Sequence, residues 1–168
     1  MADINLTQDE ADKLMAMEKR AADDKEWLFP PPGESVAIPL TSLDKRESFV
    51  LDVTRAQIRL TKATYQTRGR AVIILMRLDL DGPPHRNPDG EEIPCPHLHI
   101  YREGYGDKWA IPAPVPTYTN TLDLFSTFEA FMLQCNITDR REFRKGCSHD
   151  NGAGDRETSE RLPRVAQG

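Results

Sequence analysis

The stretch AVIILMRLDL, residues 71 to 80, constrains this chain more than any other. Its first half is apolar at consecutive positions and has the length of a strand, so it reads as a central strand covered on both faces. It turns polar at Arg77 and Asp79, two positions that share one face. A central strand needs neighbours, and the flanking sequence offers them. SFVLDV places Phe49, Leu51 and Val53 on one side, and QIRLTKATYQ places Ile58 and Leu60 on one side with Arg59, Thr61 and Tyr65 on the other. HLHIYRE, from residue 97, forms the next strand, and KWAIPAP pairs with it across the EGYGD turn. Between these lies DGPPHRNPDGEEIPCP, whose Pro/Gly clusters and NPDG turn signal predict an irregular loop.

Helical periodicity appears at both ends of this sheet. Residues 7 to 25 open with Thr7 and Glu10 at capping-box spacing, and Ala11, Leu14, Met15 and Ala22 follow at helical intervals. Pro30, Pro31, Pro32 and Gly33 stop the chain after EWLF, where Trp27 and Phe29 pin the turn. Over residues 121 to 135, Leu124, Phe128, Phe131, Met132 and Cys135 form an apolar stripe that must pack on something. The expected fold is α+β: an antiparallel sheet of four to five strands, with an N-terminal and a C-terminal helix packed on one face. Residues 1–145 make one domain with its sheet core at about 48–113, and 146–168 form a polar, Gly-containing tail expected to be disordered.

The remaining composition narrows the function. No apolar run approaches the roughly 20 residues of a membrane span, and the acidic start MADINLTQDE does not read as a secretory signal. Three widely spaced cysteines, Cys95, Cys135 and Cys147, suit reduced thiols in a cytoplasm. The net charge of −5 disfavours wholesale nucleic-acid binding. It is uneven, however, with acidic residues loading the first 26 positions and arginines concentrated between 55 and 77. There is no phosphate loop, dinucleotide fingerprint, HExxH or paired CxxC.

Histidine is what the chain concentrates. It has four, and His97 and His99 lie one residue apart with His85 shortly upstream. In a strand, His97, His99, Tyr101 and Glu103 share a face opposite Leu98 and Ile100. Sequential strand pairing would bring Arg77, Asp79, Arg59, Thr61 and Tyr65 to that face. Three readings follow. His97 and His99 could bind a metal with His85 or Asp89. They could serve as acid and base on a phosphodiester without any metal or cofactor, with Tyr101 as proton donor or positioner and Arg59, Arg77 or Lys108 clamping the phosphate. Or they could decorate a solvated sheet face. Asp89 in NPDG is expected to cap its own turn, Cys95 to be a lone thiol, and the basic run 139–145 to be a solvated patch.

The block LMRLDLDGPPHRNPDGEEIPCPHLHIYREGYGDKWAIP, with TYQTRGR before it and FEAFMLQCNI after it, resembles the signature of a poorly characterised family of small prokaryotic proteins. That resemblance spans about residues 48 to 137 and implies a bacterial, archaeal or phage source. A looser likeness is to sheet-based toxin ribonucleases of toxin–antitoxin modules, whose strands carry His, Tyr, Arg or Lys against a helix. Sequence reasoning therefore favours metal-independent RNA cleavage in a cytoplasmic protein. His97, His99 and Tyr101 would be catalytic, with His85 closing over them, and Arg59, Tyr65, Arg77 and Lys108 would hold substrate. The partners would be RNA and a protein, either a cognate antitoxin or an inhibited target, with no membrane. The alternative is a non-enzymatic inhibitor, encoded by a phage or mobile element, that presents its acidic helix and tail to a basic target. A His-ligated metal hydrolase comes third.

Overall fold

The computed structural model of the chain describes residues 5–139 and 143–146. The first helix, α1 (Gln8–Ala16), begins where expected: Glu10 N–H donates to Thr7 Oγ1 at 3.3 Å, and Thr7 N–H donates to Glu10 Oε2 at 3.0 Å. It ends nine residues earlier than its periodicity suggested. Met17 turns extended, and Lys19–Ala21 becomes the edge strand β1. Lys19 makes this break worthwhile. Its buried ammonium donates to the carbonyls of Met15, Met17 and Cys135 at 3.0, 2.7 and 2.9 Å, tying the end of α1 to a distant helix.

After the short strand β2 (Trp27–Leu28) come β3 (Ser35–Ser42), β4 (Ser48–Arg55), β5 (Ala63–Gly69) and β6 (Ile73–Leu80). The hairpin β7 (His85–Arg86) and β8 (Glu92–Ile93) follows, then β9 (His97–Ile100) and β10 (Ala110–Pro112). The helix α2 (Leu124–Gln134) and the short strand β11 (Phe143–Arg144), which pairs with β2, are the last elements among the described residues. The main sheet is antiparallel and has seven strands in the order β1-β3-β4-β5-β6-β9-β10. It is thus wider than the four or five strands expected.

β3 is the strand that the sequence hid, because Pro39 interrupts its pattern. The Pro39 carbonyl accepts from Ala22 N–H, so the proline nitrogen faces the β1 edge just beyond the end of that strand, and no ladder bond to β4 is lost. Residues 56–62, expected to be strand, form a loop instead. Ile58 is 91 % exposed there, and its apolar alternation with Leu60 buries nothing.

Both helices cover one sheet face. Leu14 and Ala11 of α1 share a core with Leu51, Val53, Tyr65 and Leu78 of the strands. The α2 stripe of Leu124, Phe128, Phe131, Met132 and Cys135 is buried against them, as its spacing required. Phe29 packs edge-on or tilted against Tyr65, Phe125 and Phe128 at 5.4 to 6.2 Å, so the segment after EWLF is pinned as expected. The opposite face carries the polar alternates, and there the site lies. Of the tail expected at 146–168, everything from Cys147 onward lies outside the described residues.

Candidate functional site: a buried His–Asp–Arg cluster

Register decides which side chains meet. β9 pairs with β6 so that His99 stands beside Arg77 and His97 beside Asp79. On the other side of β6, Gln66 stands beside Arg77 and Thr64 beside Asp79. Two polar rows therefore cross the sheet: Asp52–Gln66–Arg77–His99 and Thr54–Thr64–Asp79–His97. They alternate with the apolar rows under the helices, as a two-residue period dictates.

The face is not open. Residues 81–96, expected to be irregular, fold into a flap whose β7–β8 hairpin is turned by NPDG, with Gly90 at φ +92°. Asp89 caps this turn, accepting from Glu91 N–H at 3.0 Å, and takes no part in the cluster. The Asn87 amide fastens the flap to the outer edge of β10: Oδ1 accepts from Ala110 N–H at 2.8 Å, and Nδ2 donates to the Ala110 carbonyl at 2.9 Å. Beneath this cover His97 and His99 are 3 % and 0 % exposed. His85 descends from β7, its ring centre 4.5 Å from that of His99 and 5.8 Å from that of His97.

Asp79 is the hub. Its Oδ1 accepts from the Thr64 hydroxyl at 2.9 Å. Its Oδ2 lies 3.4 Å from His97 Nε2, 3.2 Å from His99 Nε2 and 3.2 Å from Arg77 Nε. Burial works against the carboxylate, but the His99 hydrogen bond, the Arg77 charge and the Thr64 hydroxyl outweigh it and hold Asp79 well below the usual carboxylate range. Arg77 also pairs with Asp107 and places an Nη 3.0 Å from His99 Nε2. A carbonyl can only accept, so His99 Nδ1, 2.7 Å from the Asp107 carbonyl, carries a proton; Nε2 donates to Asp79 when the ring is charged and offers its lone pair when the ring is neutral. For His97, burial and then the neighbouring His99 lower the pKa, against an opposing pull from Asp79 and the Pro94 carbonyl. Its Nδ1 is buried with no partner in hydrogen-bonding geometry.

Of the residues that the sequence singled out, His85, His97, His99, Arg77 and Asp79 come together. Four others do not. Tyr101 lies past the end of β9 in the core beneath α1, where its hydroxyl donates to the Leu6 carbonyl and accepts from Leu6 N–H, both at 2.8 Å. Tyr65 points into the helix-covered core and donates to the Leu124 carbonyl at 2.7 Å. Arg59 sits on the 56–62 loop, paired with Asp81 at 2.6 Å. The Lys108 side chain is exposed, and only its carbonyl reaches the cluster, accepting from His85 Nε2 at 2.8 Å. Two contributors were missed: Asp107, whose turn position carries no periodic signal, and Thr64, hidden by the misplaced start of β5. Cys95 borders the cluster, its thiol donating to the Asp79 carbonyl at 3.2 Å.

Chemically, the arrangement offers three converging donors. Asp79, His97 and His99 present ligand atoms within 4.8 Å of one another. Fold and site together define a sheet-based α+β protein in which two buried histidines and a part-exposed carboxylate converge under a flap. The chain belongs to a family of unknown function, DUF6978, whose profile matches residues 6–137. Neither a curated protein nor a solved structure matches it. Among the described residues, no helix is long and apolar enough to cross a membrane.

Proposed function

We propose that this protein binds a divalent transition-metal ion of the zinc class through Asp79 Oδ2, His97 Nε2 and His99 Nε2. One observation carries the reading. Ligands about 2.0–2.1 Å from a tetrahedral ion stand about 3.3 Å apart. Asp79 Oδ2 stands 3.4 Å from one imidazole nitrogen and 3.2 Å from the other. The hydrogen bonds behind these ligands suit the same role: the Asp107 carbonyl fixes the His99 tautomer, and the Thr64 hydroxyl orients the carboxylate.

Metal-independent RNA cleavage, the expectation from sequence, asks for imidazoles that meet a polymer. Here only His85 of the three is part-exposed, and the two strand histidines lie under the flap. The metal reading uses that burial instead of working against it. The inhibitor alternative rests on the acidic N-terminal segment and the tail and gains nothing from this site.

The test is zinc titration of untagged, chelator-treated protein by calorimetry, beside Asp79→Asn and His97→Ala. Wild type is expected to bind one equivalent, and each variant to lose at least tenfold in affinity. Wild type that binds no zinc, cobalt or nickel contradicts the proposal.

A further inference from the structure

We infer that His85 is the fourth ligand of this site, so that the 81–96 flap closes the coordination sphere and gates access to it. The inference rests on the metal reading above and adds a residue and a moving element to it. Its first support is ring spacing. With metal–nitrogen bonds of about 2.0–2.1 Å, imidazole centres on one tetrahedral ion lie about 5.2 Å apart. The centres of His85, His97 and His99 are separated by 4.5, 5.0 and 5.8 Å, on both sides of that value. The ligand atoms within 4.8 Å of one another are those of Asp79, His97 and His99, so His85 joins them by an inward shift of the flap.

Tautomers give the second support. His85 Nε2 stands 2.8 Å from the Lys108 carbonyl and must carry the proton, which leaves the lone pair of the neutral ring on Nδ1. His99 is fixed in the complementary sense by the carbonyl of the preceding residue, Asp107. Consecutive carbonyls of one turn thus prepare one nitrogen on each ring for a metal, as a hydrogen bond to the other ring nitrogen does for metal-binding histidines.

Burial gives the third. His97 and His99 are sealed by the sheet and the flap, whereas His85 is part-exposed and rides on a two-residue strand. It is the one ring of the three that can leave without breaking the main sheet. Four protein ligands make a closed site, and withdrawing His85 opens one position to water or an added ligand. Metal occupancy and flap closure are then linked, each favouring the other.

Cobalt(II) loaded into chelator-treated wild type and His85→Ala tests this. Wild type is expected to show intense four-coordinate visible bands that azide leaves unchanged, and slower amide exchange across 81–96 than the metal-free protein. His85→Ala is expected to bind cobalt at least tenfold more weakly, to change spectrum on adding azide, and to lose the metal-dependent slowing of exchange. Circular dichroism and urea unfolding of the metal-free variant establish that its fold is intact, and His85→Asn replaces it if it is not. Equal affinity and an azide-insensitive spectrum in the variant overturn His85 as a ligand while leaving the three-residue site standing. Failure of wild type to bind cobalt or zinc overturns both.

Discussion

Arg77 and a metal ion would draw on the same lone pairs. Its guanidinium lies 3.0 Å from His99 Nε2 and 3.2 Å from Asp79 Oδ2, the atoms proposed as ligands. Its pairing with Asp107 gives it somewhere to stay when those contacts break. Metal entry therefore exchanges one cation for another beside Asp79, and Arg77 sets how tightly the ion is held. Arg77→Met should tighten zinc binding by about tenfold, worth about 1.4 kcal/mol, in the same calorimetric titration. Weaker binding would mean that the guanidinium holds Asp79 in place more than it competes. The sequence reached this pair because RLD puts Arg77 and Asp79 two residues apart on a strand. It misjudged the tyrosines because parity fails where a strand ends. Tyr101 lies one residue beyond β9, and Tyr65 was counted from Arg59 and Thr61 in a loop that has no pleat.

Elements with an apolar period were legible, and those whose partners lie elsewhere were not. Phe49, Leu51 and Val53 announced β4, and the Leu124–Phe128–Phe131 spacing announced α2. β1 exists because Lys19–Ala21 finds β3, and the flap hairpin is held partly by one Asn87 amide on another strand's edge. Neither contact leaves a trace in local pattern. The β5–β6 turn shows a different conflict. Arg70 and Ala71 both adopt positive φ, 50° and 64°, which L-residues with a Cβ resist. Asn-Gly is the usual sequence where two consecutive turn residues take positive φ. Ala71→Gly is expected to raise stability to urea by about 1 kcal/mol, because the released strain exceeds the added freedom of the unfolded chain. A loss of stability would show that the Ala71 methyl makes contacts worth more than its backbone strain.

Across the whole molecule, Lys19 joins the two helices to the sheet edge, and pH reads out its contribution. Burial pushes its pKa down to about 8, with the Cys135 thiol the lesser, opposing influence. Between pH 8 and the unfolded value of 10.5 the unfolded chain holds the proton and the folded chain does not, so this group makes stability rise with pH. Cys135 acts in the other sense. Burial pushes its thiol up to about 12, so its contribution is complete below pH 9 and fades above it. Lys19→Met should cost about 3 kcal/mol at pH 7, since three carbonyls lose their donor. It should also make stability fall more steeply than wild type's between pH 8 and 10.5. Parallel curves in urea titrations would place the proton on Lys19 throughout. The Lys19 network and the histidine cluster lie on opposite faces of the sheet, so the metal site can be probed without disturbing this joint. Zinc K-edge absorption of untagged, zinc-loaded protein does so most directly. The expected spectrum has nitrogen and oxygen neighbours at about 2.0–2.1 Å, with the outer-shell scattering of at least two imidazoles and no sulfur. A six-oxygen shell without imidazole, or a sulfur neighbour from Cys95 at about 2.3 Å, would contradict the account.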